Sequence, residues 1–470
     1  MTNTVATHLE KNFNSHLDDL KKLIRIPSVS FPDFDRKLLD VSAEAVAELL
    51  TRRGLKNVEI LKIPNTFPYV YGEYIQDPKL PTLLLYAHHD VQPPGREDVW
   101  QTPPFEPTEK EGPGGLRLYA RGSADDKAGI IVHTAAISSF LETTGKLPVN
   151  VKVLIEGEEE IGSEHLTEFL KCYREKIRAD VIVLTDTANY DCGIPSLTIG
   201  LRGLVGLDIE VRALNKTIHS GMWGGPIPDP VVALSKILAD MIDENGDIAI
   251  PEIKKLIPPV PESVEAALKT LPFDEKLFRE QSGMVKGAQL FNNKPSALAR
   301  LWFTPSLSVN AIQASSRKQA GNIINDAAWA RLTIRVTPGM DSEAVCKALR
   351  SYVESRVPWG LELGIEQEPC VNPWQTKPDA PENRKAFAAA DTALQKGYGV
   401  KPIHMGCGAT IPFVKPFVEV LEGAPALLVG VEDPYTNAHG ENESLLISDL
   451  KKACLSQVYL FEEIGKSFAG

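Results

Sequence analysis

Thr82-Leu83-Leu84-Leu85-Tyr86-Ala87 runs directly into His88-His89-Asp90. A short, almost wholly apolar run of this kind reads as a strand buried on both faces, and the polar triplet marks where the chain leaves the core. The same signature recurs on either side. Val151–Ile155 leads into Glu158-Glu159-Glu160, Ala179–Leu184 into Thr185-Asp186, and Pro425–Gly430 precedes His439. Helical patterns separate these runs. An N-terminal stretch carrying Leu20, Leu23 and Ile24 halts at Ile26-Pro27-Ser28, a second spans about Ser42 to Arg53 before Gly54, and Ala128–Leu141 has helical length. Buried strands alternating with helices predict an α/β fold on a mixed, mostly parallel sheet.

The middle of the chain follows a different pattern. Gly203–Arg212 and Ala330–Thr337 alternate apolar and polar residues, as strands with one solvated face do. Between them Val231, Leu234, Leu238, Met241 and Ile242 share one helical stripe. Ile257–Phe273 is rich in proline and charge and reads as loop or short helices, and Gln367–Glu382 reads as a return linker. The expected organisation is a first domain interrupted by an inserted α+β domain: residues 1–203, then 204–378, then 379–470.

Composition narrows the function. The 470 residues hold 62 acidic and 50 basic side chains, a formal charge of −12. That balance argues against a nucleic-acid partner, whose phosphates are bound by clustered Lys and Arg. Apolar residues at 43% suffice for a core, which excludes a largely disordered chain. The six cysteines are widely spaced, with no CxxC pair, so reduced thiols in a cytoplasmic protein are expected. The N-terminus lacks the apolar segment of a signal peptide. Ala128–Leu141 is broken by His133, Thr134, Ser138 and Ser139, so no membrane association is expected.

The chemistry-bearing residues follow the apolar runs, and in open α/β sheets ligand sites form beyond the carboxyl ends of strands. Arg121-Gly122-Ser123-Ala124-Asp125-Asp126-Lys127, just before the Ala128–Leu141 helix, adds two further carboxylates. Imidazole and carboxylate together suit zinc or a similar divalent ion, and two ions can share a bridging carboxylate. Taken singly, each piece has a plainer reading: a capped turn, a solvated charge run, a helix cap or a surface histidine. Their joint placement after buried strands is what the plainer readings leave unexplained.

His88-His89-Asp90-Val91, Ala120–Gly129, Glu156–Ser163, the isolated Asp186 and Asn437–Glu443 together resemble the zinc-dependent dipeptidase and deacylase metallopeptidase family. That family includes carnosine-type dipeptidases, acetylornithine deacetylase, succinyl-diaminopimelate desuccinylase and glutamate carboxypeptidase. The motifs run in family order from Ile26 to His439, and the layout, including Leu201-Arg202-Gly203, is most similar to the carnosine-type branch. The resemblance implies a catalytic domain with two divalent metal ions and an inserted lid domain that also dimerises. Zinc is the implied ion, with manganese and cobalt also suited to the donors. It implies that Asp125 bridges the two, that His88 and Asp186 complete one ligand set, and that Glu160 and His439 complete the other. Asp90 is implied to orient the His88 ring, and Glu159 to act as general base. His89 is then a bystander, and Glu158 occupies a position that relatives fill variously.

On the substrate side, Ile218-His219-Ser220-Gly221 resembles the motif whose histidine reaches the neighbouring subunit's reacting carbonyl. Arg335 is implied to clamp a free substrate carboxylate, and Thr410, in Ala409-Thr410-Ile411, to contact the substrate. Thr217 stands where an aspartate is common, and Ser308–Gln313 departs from the usual pattern; both changes bear on specificity. The resemblance thus implies a homodimeric dipeptidase acting on small peptides. An N-acyl-amino-acid deacylase uses the same metals and base and is the alternative. A non-catalytic scaffold is the remote one, because such a protein has no need of the ligand set and Glu159.

Overall fold

The computed structural model describes residues 2–468 apart from 293, 319 and 412. It divides into two compact units. The first comprises the described parts of Met1–Ile199, Thr376–Met405 and Pro412–Gly470. Its sheet runs, in spatial order, Lys56–Leu61, Tyr69–Tyr74, Asn150–Glu156, Thr82–His88, Val181–Leu184, Ala426–Leu428 and Ser196–Leu201. The middle of this order is parallel: Thr82–His88 pairs in that sense with Asn150–Glu156 and Val181–Leu184, and Ala426–Leu428 pairs with Val181–Leu184. Antiparallel strands flank it on both sides.

The reason these strands lack sequence alternation is visible in their packing. Leu83, Leu85 and Ala87 enter a core shared with the helices Thr2–Ile24, Lys37–Arg52, Lys127–Thr144, Arg384–Tyr398 and Ile447–Phe468. Tyr86 points the other way, its ring 4.6 Å from that of Phe413 and 5.1 Å from Phe417. Both faces are dry, so both sets of side chains are apolar. Lys127–Thr144 lies between the two terminal helices and is buried from Lys127 through Phe140, hence its weak amphipathic pattern. It ends at Gly145, whose φ of 69° is a left-handed cap that L side chains disfavour. The second helix begins at Lys37, earlier than its apolar pattern predicts, because Leu39 also reaches the core.

The second unit comprises Gly200–Gln375 together with Gly406–Ile411. Its sheet has four antiparallel strands in the order Ser306–Gln313, Ala327–Val336, Gly203–Arg212, Glu362–Gln367. Here alternation holds. Val205, Leu207, Ile209 and Val211 face inward with Ala328, Ala330, Leu332 and Ile334, while Arg331 on the outer face donates to Asp208 in a 2.7 Å fork. The helices Pro230–Ala239 and Ser342–Arg356 cover the inner face. Of the Val231–Ile242 stripe, expected to support dimerisation, Leu234 and Met241 are buried in this unit's own core and Val231 and Leu238 pack against it, while Ile242 is exposed. The expected boundary at 378/379 also leaves out Gly406–Ile411. Those residues lie so close to Trp302 that a Cβ at Gly406 would stand 2.5 Å from the Trp302 Cβ.

Candidate metal centre

Parallel pairing brings His88 level with Glu156, and Tyr86 and Leu428 level with Leu184, so the strands leave the sheet along one edge. Just beyond that edge the first unit gathers His88, Asp125, Glu159, Glu160, Asp186 and His439. Asp125 is their centre. Its Oδ1 lies 3.1 Å from His88 Nε2 and its Oδ2 3.1 Å from His439 Nε2. His439 Nε2 is also 3.3 Å from Glu160 Oε2, and His88 Nε2 is 3.7 Å from Asp186 Oδ1 and 4.0 Å from Glu159 Oε2. The donor atoms of His88, Glu159 and Asp186 lie within 4.8 Å of one another, as do those of His88, Asp125 and Glu160.

The surrounding contacts give the run of three glutamates three different tasks. Glu159 and Glu160 open a short turn whose amides donate to Asp90, at 3.2 Å to Oδ1 and 3.0 Å to Oδ2. Asp90 thus fixes the Glu159–Glu160 turn with its carboxylate. The His88 Nδ1 atom meets the Asp90 backbone carbonyl at 3.1 Å and the carboxylate only at 3.5 Å. The Asp90 backbone carbonyl is thus nearer the His88 ring than the carboxylate expected to orient it, and both lie on the Nδ1 side. Gln92 grips Glu160 through its amide at 3.0 Å and its side chain at 2.7 Å. Glu158 faces away, accepting from Tyr69 and from the amides of Phe67 and His165. His89 is buried, with Nε2 3.0 Å from the Pro68 carbonyl and its pKa lowered to about 4 by burial. It holds backbone and does not join the cluster.

Two residues that sequence reasoning missed hold the centre in register. Glu443 is fully buried, pairs with Arg121 at 2.8 Å, and accepts from the amides of Gly122, Ala124 and Asp125. Arg121 in turn donates to the carbonyls of His439 and Gly440. One ion pair therefore ties the Asp125 loop to the His439 turn. That turn needs the tie: His439 has φ 63°, a left-handed conformation that costs a non-glycine residue about 1–3 kcal/mol.

The electrostatics fit divalent cations. Burial, then repulsion from Asp186 and Asp125, pushes the Glu159 carboxyl well above its ordinary range. Burial with Asp125 and Glu159 nearby does the same to Glu160, and burial with Asp125 and Asp186 nearby raises Glu432, a further acid at this edge that the sequence did not flag. Asp125 is held low despite burial, through its hydrogen bonds with His439 and His88. Acids outnumber imidazoles here, so the cluster is short of positive charge. Imidazole nitrogens and carboxylate oxygens are the donors that zinc and its neighbours accept.

The remaining predicted residues belong to the second unit. His219 is exposed, and its Nδ1 accepts from the Gly221 amide at 3.0 Å, so the neutral ring carries its proton on Nε2. Arg335 Nη1 donates to Thr410 Oγ1 at 2.8 Å. Thr217 donates to Asp326, which supplies a carboxylate close to where one was expected in sequence.

An imidazole–carboxylate centre on the carboxyl edge of a parallel sheet, buried at His88 and Asp125 and open to solvent at His439, with an adjoining glutamate, is the site of a peptidase enzyme with metal-binding capacity. The chain belongs to peptidase family M20/M25/M40, whose model matches residues 84–463. It is 31% identical over 389 residues to a cysteinylglycine-S-conjugate dipeptidase of Corynebacterium striatum, covering 82% of each chain. It is 29% identical to the human β-Ala-His dipeptidase over 94% of this chain and 88% of that one. Among solved structures, the dipeptidase Dug1p of Saccharomyces cerevisiae superposes with a TM-score of 0.85 at 25% identity, and human carnosine dipeptidase 1 with 0.85 at 26%; each covers 99% of both chains.

Glu443→Ala leaves Arg121 buried without its partner and is expected to destabilise the protein by about 3–5 kcal/mol, read by denaturant unfolding. A second expectation concerns pH. Glu156, behind the centre, accepts from Tyr69 at 2.9 Å and Tyr86 at 2.7 Å, and burial raises its pKa from 4.5 to about 8. Its stabilising contribution is therefore complete below pH 4.5 and is lost as pH rises through 8. In the metal-loaded protein Glu156→Gln is expected to flatten the fall in melting temperature across that window.

Proposed function

We propose that the protein is a dinuclear metallodipeptidase hydrolysing short peptides that carry a free carboxylate. The observation that carries this reading is Asp125, one oxygen toward each of two histidines, with Glu159 beside it. His88, Asp125 and Asp186 would hold one divalent ion and Asp125, Glu160 and His439 a second, with zinc the expected metal. Bound there, the ions supply Lewis-acid polarisation of the scissile carbonyl and acidify water.

The chain's own residues do the rest. Glu159, its turn fixed by the carboxylate of Asp90, accepts the proton of the attacking water and returns it to the leaving nitrogen. A carboxyl already pushed upward in its burial suits that exchange. In line with the family resemblance, His219, with its proton on Nε2, serves as a donor for the developing oxyanion of a neighbouring subunit's substrate, and Arg335 with Thr410 receives a substrate carboxylate. The relatives named for Cys-Gly-type and β-Ala-His substrates support dipeptides over acylated amino acids.

The second unit serves as lid and dimerisation domain in this reading. Its edge strand Ser306–Gln313 leaves Val309 and Ile312 exposed, and Met222 and Trp223 are exposed beside His219 in sequence. These residues, and not the Val231–Ile242 stripe, are the surface for a second copy. A cytoplasmic setting is inferred from the six cysteines, none of which is in a disulfide. No helix among the described residues is long and apolar enough to cross a membrane.

Glu159→Gln is expected to retain metal, measured by elemental analysis, and to lose about 10²–10⁴-fold in kcat. A dipeptide panel run beside N-acetyl and N-succinyl amino acids should show turnover of the dipeptides; turnover of the acyl substrates alone would sink the dipeptidase reading. Ile312→Asp should shift the sedimenting species from dimer to monomer.

A further inference from the structure

Most arginines of the second unit's sheet face have a carboxylate partner. Arg331 meets Asp208 at 2.7 Å, Arg212 meets Asp326 at 2.9 Å, and on a nearby helix Arg300 meets Asp247 at 2.7 Å. Arg202 and Arg335 do not follow this pattern. The described acceptors of Arg202 are all uncharged: the Gly408 carbonyl at 2.9 Å from Nε, and Ser306 Oγ at 3.1 Å and the Thr304 carbonyl at 3.5 Å from Nη1. Arg335 has the hydroxyl of Thr410. The two guanidiniums lie close enough that burial and then the Arg335 charge lower the Arg202 pKa to about 10. Arg202 is only 8% exposed, so water screens it poorly.

Both arginines act on one short segment, Gly406–Ile411. Its glycines let it lie where the arginines reach it: a Cβ at Gly408 would stand 3.0 Å from Arg202 Nη2 and 3.3 Å from the Leu301 carbonyl. Arg202 anchors the backbone of this segment, and two residues on, Thr410 meets Arg335. Two like charges held together, with the Cys407 thiol rather than a carboxylate as the acidic group acting on both, raise the energy of the empty site, and an entering anion lowers it.

We propose that Arg202 is a positioning residue for the substrate's free carboxylate: it fixes Gly406–Ile411 so that Arg335 and Thr410 stand ready, and it adds a second positive charge that no described carboxylate pairs. This rests on the reading of Arg335 as the carboxylate's partner. Arginine is needed because its planar fork reaches the Gly408 carbonyl and Ser306 together, which a single ammonium does not reproduce.

The test is steady-state kinetics of the metal-loaded enzyme on Ala-Gly and on its C-terminal amide, for wild type, Arg202→Met, Arg202→Lys and Arg335→Lys, with melting temperatures taken alongside. For Arg202→Met the KM for Ala-Gly should rise by about 10–100-fold, the loss expected for weakened charge-assisted bonds, with kcat little changed. Arg202→Lys should recover part of the loss, and the amide should respond to neither variant. Equal losses on acid and amide, a fall in kcat at constant KM, or an unchanged KM in Arg202→Met would overturn the inference. If Arg202→Met does not fold, the acid-to-amide ratio of Arg202→Lys decides, and a ratio equal to wild type counts against it. An acid preference lost in Arg335→Lys but kept in the Arg202 variants overturns the role of Arg202 alone. A preference that survives Arg335→Lys overturns the carboxylate reading and this inference with it.

Discussion

The two oxygens of Asp125, one turned to His88 and one to His439, set the constraint on which the first unit depends. To satisfy it, the end of a central strand, the start of a buried helix and a turn close to the last helix must meet at one point. The parallel sheet delivers the first, because its strands end level. The Arg121–Glu443 pair delivers the other two, with Glu443 gathering the amides before Asp125 and Arg121 gathering the carbonyls of the His439 turn. Buried ion pairs are weak sources of net stability, since desolvation offsets most of their attraction. Here the return is geometric: a left-handed histidine is held where its ring meets the shared carboxylate.

Burial does two opposite things within the same few ångströms. It raises Glu159, Glu160 and Glu432, whose charges have too few partners, and it strengthens the hydrogen bonds that hold Asp125 ionised. The divergence sets Asp125, the carboxylate that meets both histidines, apart from the acids around it. The second unit solves an unrelated problem with the ordinary alternation of a one-sided sheet. On its charged face Arg331 and Arg212 meet carboxylates, whereas Arg202 and Arg335 converge on Gly406–Ile411.

Much of this is legible in the sequence. Thr82–Ala87, Val151–Ile155 and Ala179–Leu184 read as buried strands because a strand covered on both faces leaves no polar alternation, and the reactive residues lie where such strands end. Gly203–Arg212 read as a one-sided strand for the complementary reason, and its neighbours bear this out. The helix stripe at Val231–Ile242 was legible as apolar, but whether an apolar face meets its own core or another chain is not a property of spacing.

The sequence by itself determined the α/β class, the family and the residue types at the centre, because these depend on short-range periodicity and on motifs read in order. Only the tertiary structure decided the division of labour. Glu158, Glu159 and Glu160 are identical in sequence, and what distinguishes them is that Tyr69, Asp90 and Gln92 arrive from other strands and loops to bind them differently. The contacts of Glu443 and Arg202 and the placement of Gly406–Ile411 were likewise invisible, since each acts through partners far away along the chain. Pattern in a sequence reports the environment of a segment, and the chemistry of a site depends on which segments share that environment.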